Sequence, residues 1–314
     1  MKQKLYSLFL IAIFGMLGMQ VGAQELTTTE IDGVTYYVIN DSEELLAFAE
    51  LVNTSEQNAN AVLAADIDMT QVLWETPIGI EGKSFTGIFD GQGHKITGFE
   101  AVSTGQGGLF GHVTTATIKN FSIAGTLEVT GGTGSGAIGY AVGPEAGRGC
   151  RIINVHSSLD ITVSEAGCHH VGGVVGSSQY NNYIRNCTFS GTMSAVGGNH
   201  DCFGGVVGYM GNDSILYCAN YGEISFSTQN AYCGGILGYL NNTDGTVKGC
   251  LNLGKISYTE GEPDYGGAII GRLRGNTPSR LTNNCWLECS PLVTVPPLSM
   301  DAVTSYELIA DVAL

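Results

Sequence analysis

The chain has 314 residues, of which 13 are basic and 29 acidic, so its formal net charge at pH 7 is −16. This excess of negative charge argues against nucleic acids and anionic membranes as partners, because both are bound through basic patches. With 43% hydrophobic residues, 46 glycines and only 7 prolines, the composition favours an ordered chain of short strands and tight turns.

Residues 1–23 have the pattern of a secretory signal peptide. Lys2 and Lys4 precede an apolar run over 8–19 that is too short to span a bilayer, and small residues follow in Val21-Gly22-Ala23. We predict cleavage after Ala23 and an exported protein without membrane insertion, located in the periplasm, at the cell surface or outside the cell. The remaining chain keeps 11 of the basic residues.

Residues 24–60 combine a strand pair with a helix. The segment IDGVTYYVI contains a turn signal at Asp32-Gly33. Asp41 and Glu44 form a capping-box pattern ahead of a helical apolar periodicity over 42–53. Because the end of a stack of strands exposes unpaired strand edges, we predict that this helix caps that end.

Residues 61–106 hold short strand-like runs broken by glycine and aspartate, which we interpret as irregular early coils. From 107 to 297 a glycine-framed unit recurs six times at spacings of 28 to 37 residues, as GGLFG, SGAIG, GGVVG, GGVVG, GGILG and GAIIG. Such a period is typical of a solenoid. The sequence therefore predicts an all-β fold, a right-handed parallel β-helix (the hand following the general rule for parallel crossovers), with 298–314 as a C-terminal cap or tail.

Columns of residues at the same position in successive coils support this register. One mainly apolar column consists of Leu127, Ile161, Met193, Ile224 and Ile256, and a second, two residues further along, of Val129, Val163, Ala195, Phe226 and Tyr258. The positions between these columns and directly before them are polar. This alternation predicts strands with one face inside the coil. The repeated glycines then mark close backbone packing at one edge of each coil. Another apolar column is occupied by the cysteines Cys187, Cys218, Cys250 and Cys285. We interpret them as stacked free thiols; disulfide bonds within the column are the alternative.

Two local motifs have a chemical and a structural interpretation. In FDGQGH, Asp90 and His94 could form an acid–base pair, but a tight turn with both glycines at positive φ is favoured. Before two of the glycine units stand Cys168-His169-His170 and His200-Asp201-Cys202. On adjacent coils His169, His170, His200 and Asp201 could hold zinc or a similar ion, whereas a Cys168–Cys202 disulfide or ordinary corner packing would leave no metal site.

The residue after each glycine unit forms a column that is rich in aromatic side chains: His112, Tyr140, Ser177, Tyr209, Tyr239 and Arg272. If it faces outward, Tyr140, Tyr209 and Tyr239 form a surface on which sugar rings could stack; the alternative is that these rings only cover the sheet. No column of basic residues is evident in the sequence.

The blocks DGVTYYVINDSEELLAFAELVN, LAADIDMT, WETPIGI and FTGIFDGQGHKITGF, followed by the glycine units, resemble secreted GLUG-repeat proteins of Bacteroidetes. The resemblance covers roughly residues 30–290 and implies a pectate-lyase-like β-helix with adhesin-like behaviour, but no catalytic residue.

We therefore expect an exported, non-catalytic binding module for a glycan or a host or cell-surface protein, without a cofactor. The alternative is a polysaccharide lyase or a glycoside hydrolase. A hydrolase would need two flanking carboxylates, for which Asp160 and Glu223, two coils apart in one column, are the candidates.

Overall fold

The structure is a computed structural model that describes residues 26–165, 167, 170–195, 201–227, 231–242, 244–258, 265–274 and 280–286. The predicted signal peptide and the C-terminal cap lie outside these residues. The described part is a parallel β-solenoid with one helix, so the all-β, β-helical fold predicted from the sequence is confirmed. No helix in the described ranges has the length and hydropathy that a bilayer crossing requires.

The strands of the described residues form three sheets. Sheet 1 has 20 strands: Thr28–Ile31, Val34–Ile39, Ala61–Leu63, Ile67–Asp68, Leu73–Trp74, Ile88–Asp90, Lys95–Ser103, Thr117–Val129, Arg151–Val163, Tyr183–Arg185, Thr188–Phe189, Thr192–Ala195, Ser214–Leu216, Ala219–Asn220, Glu223–Phe226, Thr246–Lys248, Leu251–Asn252, Ile256–Tyr258, Leu281–Thr282 and Cys285–Trp286. Sheet 2 has six: Gln106–Gly107, Gly134–Ser135, His170–Gly172, Cys202–Gly204, Tyr232–Gly234 and Tyr265–Gly267. Sheet 3 has six: Phe110–Thr114, Ile138–Val142, Val175–Gln179, Val207–Met210, Leu237–Leu240 and Ile270–Leu273.

A regular coil contributes one short strand to sheet 2, one to sheet 3 and then three consecutive segments to sheet 1. In one coil these three segments are Tyr183–Arg185, Thr188–Phe189 and Thr192–Ala195, which we call the first, second and third segments. The register of the third segment is the predicted one, since Ile161 pairs with Met193 and Met193 with Ile224. Members of both apolar columns are buried, so the inward face was correctly predicted.

The N-terminal unit closes one end of the stack. Strands Thr28–Ile31 and Val34–Ile39 pair antiparallel, and the second continues the parallel ladder to Ala61–Leu63. The helix Ser42–Thr54 begins at the predicted cap, because the Asp41 carboxylate accepts the backbone N–H of Glu44 at 2.9 Å. Phe48 on its buried face contacts Phe85 and Phe89 of the coil interior, with ring centroids 6.1 and 6.4 Å apart. The helix therefore covers the apolar interior at this end, as predicted.

The repeated glycines lie where sheets 2 and 3 pack backbone against backbone. A Cβ atom on Gly204 would lie 1.9 Å from the Val207 carbonyl oxygen, and one on Gly234 would lie 2.1 Å from that of Leu237. No side chain fits at such separations. The glycines of each unit thus allow the backbones of sheets 2 and 3 to approach closely, as the sequence suggested.

The cysteine column is only partly as predicted. Cys187, Cys218 and Cys250 are buried free thiols that continue the column of Phe121 and Val155. Cys285, however, pairs with Leu251, one position further on, and is only half-buried. The assignment of Cys285 to the column was therefore wrong by one residue, because the register of the last two coils places Asn284 opposite Cys250.

A ladder of asparagines that the sequence analysis missed lines the bend between the first and second segments of sheet 1. Asn120, Asn154 and Asn186 all have a φ between 54 and 60°. The Nδ2 of each donates to the side-chain oxygen of its neighbour: Asn186 to Asn154 at 2.7 Å, Asn154 to Asn120 at 2.9 Å and Asn120 to Asp90 at 3.0 Å. Asparagine tolerates this backbone conformation better than most residues, and the spacings of 34 and 32 residues were visible in the sequence.

The FDGQGH motif starts this ladder as a turn. Gln92, with φ 52°, and Gly93, with φ 85°, adopt the left-handed conformation, so the expectation that both glycines do so was wrong. Gly91 is required for another reason, since its Cβ would lie 2.5 Å from the Asn120 carbonyl oxygen. The Asp90 carboxylate accepts the backbone N–H of Gln92 at 3.0 Å, in agreement with the structural interpretation.

Candidate functional site

The aromatic column predicted from the sequence is present on sheet 3. Tyr140 pairs with His112 and Ser177, and Tyr209 pairs with Ser177 and Tyr239. The three tyrosine side chains are half-buried, with part of each exposed to solvent. We call Tyr140, Tyr209 and Tyr239 the tyrosine surface.

Rings from sheet 2 support this surface from the side. The imidazole of His170 stacks on the Tyr209 ring with centroids 4.2 Å apart and planes inclined by 20°. The ring of Tyr232 contacts that of Tyr239 at 5.1 Å, and the Arg272 guanidinium lies over both. These contacts hold the tyrosine rings in place, as a stacking surface requires.

Polar groups lie between the rings. Asn241 accepts a hydrogen bond from the Tyr239 hydroxyl at 2.8 Å and donates one to the Tyr209 hydroxyl. Arg274, which is exposed, donates to the same Asn241 oxygen at 3.1 Å. Burial raises the pKa of Tyr140, Tyr209 and Tyr239, so the three hydroxyls are neutral at physiological pH. Apolar ring faces beside amide, hydroxyl and guanidinium groups match the amphipathic faces of a sugar.

The proposed metal corner is only partly within the described residues. His170 pairs with Cys202, as the stacking of coils predicted, and its ring is occupied by the contact with Tyr209. Asp201 is fully buried and its carboxylate accepts the backbone N–H of Gly167 at 3.3 Å. Among the described residues no three histidine, cysteine or acidic side chains are placed to share an ion. His169 and His200 lie outside the described residues, so the metal site stays a prediction.

The candidate acid–base groups are separated. His94 contacts Asp66, with Nδ1 and Oδ1 3.1 Å apart, while Asp90 is in an ion pair with Lys119 at 2.9 Å. Burial alone would raise the pKa of the Asp90 carboxyl, but hydrogen bonds from Gln92, Lys119 and Asn120 outweigh it and lower that pKa. Asp90 is therefore an ionised structural group and not a proton donor.

Asp160 and Glu223 lie two coils apart in the predicted column, since both pair with Thr192 or its strand neighbours. The Asp160 carboxylate accepts both the backbone N–H and the hydroxyl of Thr192, at 3.2 and 2.7 Å. Both acidic side chains are exposed, and solvent on both leaves no apolar enclosure for a general acid.

Two histidines form hydrogen bonds with hydroxyl groups. The Nδ1 of His112 is 2.7 Å from the Ser84 hydroxyl, and the Nδ1 of His156 is 2.9 Å from that of Thr188. Burial lowers the pKa of both histidines. The same arrangement at two unrelated positions, once with threonine, is typical of structural pairing.

A groove of about 330 Å³ lies beside the early coils. Its walls contain the Glu81 carboxylate, the Gln106 amide and a glycine-rich backbone, with Ile80 and Val102 as apolar patches. This mixture of groups is compatible with a hydroxyl-rich ligand, and the groove is separate from the tyrosine surface.

A cluster of basic residues on the first segment of sheet 1 corrects the sequence analysis, which found no basic column. Lys119, Arg185 and Lys248 occupy one column, in alternate coils, with Ile153 and Leu216 between them. Arg151 lies in the adjacent outward column, and Arg148 donates to Thr117 of that column at 2.8 Å. The sequence pattern concealed the cluster because it is two columns wide and interrupted in every second coil. We call these five residues the basic strip: Lys119, Arg148, Arg151, Arg185 and Lys248.

Comparisons with known proteins support the fold. No family model matches the chain, and no curated protein matches it. Among solved structures it is similar to a chain from Bacteroides ovatus described as a candidate immunoglobulin A1 protease. The two are 18% identical, the match covers 76% of this chain and 84% of that one, and the TM-score is 0.53. At this identity the similarity shows the β-solenoid fold and not the activity.

Proposed function

We propose that this protein is an exported, non-catalytic β-helical module that binds glycans through the tyrosine surface, as an adhesin-like protein of the GLUG-repeat type would. The observation that carries the proposal is the register of sheet 3, which places Tyr209 directly beside Tyr239, with ring centroids 5.7 Å apart and ring planes inclined by 77°. Both rings are held by neighbouring side chains and both remain partly exposed. A rigid aromatic surface loses little entropy when a sugar stacks on it.

The test is a binding screen of the full chain against neutral oligosaccharides (xylo-, manno-, cello- and laminari-hexaose) and a glycan array. Replacing both rings, as Tyr209→Ala with Tyr239→Ala, should weaken binding by up to about tenfold per ring, given roughly 0.5–1.5 kcal/mol per aromatic contact. Tyr36→Ala with Tyr221→Ala is the matched control, because it removes two tyrosines elsewhere on the surface. Absence of any glycan ligand for the folded protein, or equal losses in the two double variants, would refute the proposal.

The sequence alternative, a polysaccharide lyase or glycoside hydrolase, has a direct test of its own. The name of the Bacteroides ovatus protein adds a third activity, cleavage of immunoglobulin A1. Incubation with a polysaccharide panel and with immunoglobulin A1 should leave both intact. New reducing ends, unsaturated products or heavy-chain fragments, lost on Ser84→Ala or Asp160→Asn, would replace the binding proposal by an enzymatic one.

A further inference from the structure

Positive charge is concentrated on one part of sheet 1. Five of the 11 basic residues that follow residue 23 belong to the basic strip, on the first segment or directly before it. The outward columns of the third segment carry charges of both signs, namely Glu100, Glu128, Asp160 and Glu223 together with Lys255. In its described part, a chain with net charge −16 therefore presents a positive strip along its axis.

Most of this positive charge is not neutralised by the protein. Lys119 forms an ion pair with Asp90 at 2.9 Å. Within the described residues, the other four basic side chains of the strip form no ion pair with a carboxylate, although acidic residues outnumber basic ones by 29 to 13. Unpaired positive charges in a row attract a ligand that carries several negative charges.

Aromatic rings lie between these charges. The Arg151 guanidinium lies over the ring of Tyr183, with Cζ 4.8 Å from the centroid, and that of Arg185 lies over Tyr217 at 5.4 Å. Both contacts hold a flexible arginine in one place.

The backbone conformation of Tyr217 is a second indication that the basic strip is a binding site. It occupies the bend at which the preceding coils have Asn120, Asn154 and Asn186, and it adopts the same positive φ, 55°. A bulky residue in this conformation is uncommon, although Thr115 and Tyr180 also adopt it in this chain, and strained positions of this kind cluster at functional sites. The Tyr217 side chain is also 49% exposed.

The spacing of the strip identifies the class of ligand. Lys119, Arg185 and Lys248 lie in alternate coils, so their backbones are about 10 Å apart at a strand spacing of about 4.8 Å. In a double-stranded nucleic acid the phosphates of one strand follow one another every ~3.4 Å of the helix axis, which is denser than the spacing of the strip. A sugar ring adds about one strand spacing to a polysaccharide, so an acidic group on every second sugar would meet every second coil.

We propose that the basic strip binds a linear anionic polysaccharide with one acidic group per disaccharide, laid along the axis of the solenoid. The Arg151, Arg185 and Lys248 side chains pair with its carboxylates or sulfates, and the rings of Tyr183 and Tyr217 contact the sugars. This site is on sheet 1, whereas the tyrosine surface is on sheet 3, so the two proposals can fail independently.

The experiment measures binding of the full chain to size-defined oligosaccharides of hyaluronan and κ-carrageenan by calorimetry at 50 and 200 mM NaCl. Hyaluronan carries one carboxylate per disaccharide and κ-carrageenan one sulfate. Carboxyl-reduced hyaluronan, polyglutamate and oligo(dT) are the comparison ligands. We expect hyaluronan or κ-carrageenan to bind, more weakly at 200 mM salt, and the neutral derivative of hyaluronan not to bind. Which of the two polysaccharides binds more tightly distinguishes a carboxylate from a sulfate ligand.

The variant is Arg151→Gln with Arg185→Gln and Lys248→Gln, which spares Lys119 and so leaves Asp90 paired. Each exposed charge contact accounts for up to about fivefold in affinity, so the triple variant should bind more weakly by up to about 100-fold. The matched control, Lys83→Gln with Lys95→Gln and Lys255→Gln, removes the same charge away from the strip and should bind normally, as should the Tyr209→Ala, Tyr239→Ala variant. Circular dichroism checks that all variants are folded. Equal losses in both triple variants, no binding of either polysaccharide, or tighter binding of polyglutamate or oligo(dT) would overturn the proposal.

Discussion

The buried carboxyl of Asp213 should make the stability of this protein depend on pH. Asp213 is 2% exposed and its Oδ1 accepts the backbone N–H of Asn182 at 2.8 Å, while Oδ2 has no hydrogen-bond partner in the described part of the chain. Burial raises the pKa of Asp213 to about 6 from its ordinary value of 3.8. The folded state therefore binds this proton more tightly than the unfolded state does.

The sign and size of the effect follow from that difference. Well below pH 4 the carboxyl is protonated in both states, so it does not affect the free energy of folding. As the pH rises from about 4 to about 6, the carboxyl ionises in the unfolded state while the folded state still holds its proton. The native state thereby loses about 3 kcal/mol, which corresponds to roughly two pKa units at ~1.36 kcal/mol each. Most of this loss is complete by pH 7.

The substitution Asp213→Asn should remove the penalty. In the preceding coil Asn182 accepts the backbone N–H of Cys150 at 2.7 Å and donates to the carbonyl oxygens of Ala141 and Gln179, so an asparagine is compatible with this corner. Urea unfolding of variant and parent should give equal free energies of unfolding near pH 3 and a gain of up to about 3 kcal/mol for the variant at pH 7. Glu223→Gln, at an exposed position, is the control and should show no such trend. A difference between Asp213→Asn and the parent that is constant with pH, or that favours the parent at pH 7, would refute the reasoning.

Three further results are expected. Gly204→Ala should lower the free energy of unfolding by about 2 kcal/mol or more, because its Cβ would overlap the Val207 carbonyl oxygen; Gly211→Ala, whose Cβ would meet its nearest atom at 3.6 Å, should cost much less in the same urea titration. Tyr217→Asn should raise the unfolding midpoint, since asparagine relieves about 1 kcal/mol of strain at a φ of 55°, yet weaken binding of hyaluronan; an unchanged or lower midpoint would contradict this. Alkylation of the folded protein at pH 8, followed by peptide mass mapping, should modify Cys285 well before the buried thiols of Cys187, Cys218 and Cys250. Early labelling of these buried thiols would show that the reagent reaches the interior of the solenoid and would contradict the prediction.

Local features of the sequence were sufficient to predict the register between successive coils of the solenoid. The inward columns through Leu127 and Val129 were predicted correctly because one strand face must be apolar in every coil, and this repeats at a fixed offset. The Asp41 cap was predicted for a similar reason, since a helix start depends on a side chain only three residues from its target. The position of Cys285 was missed because the offset between neighbouring coils varies along the chain, so spacing alone does not distinguish Cys285 from Asn284, which lies opposite Cys250.

The sequence by itself thus determined the fold class, the inward face and the tyrosine column, because each of these depends on a periodic pattern along one chain. Only the tertiary structure decided what lies beside what on the outer surface. Lys119, Arg185 and Lys248 are 66 and 63 residues apart, and they form a strip only because every second coil returns the chain to the same column. The outer surface carries no apolar constraint that would force a repeat, so its charges become a site only when the coils are stacked.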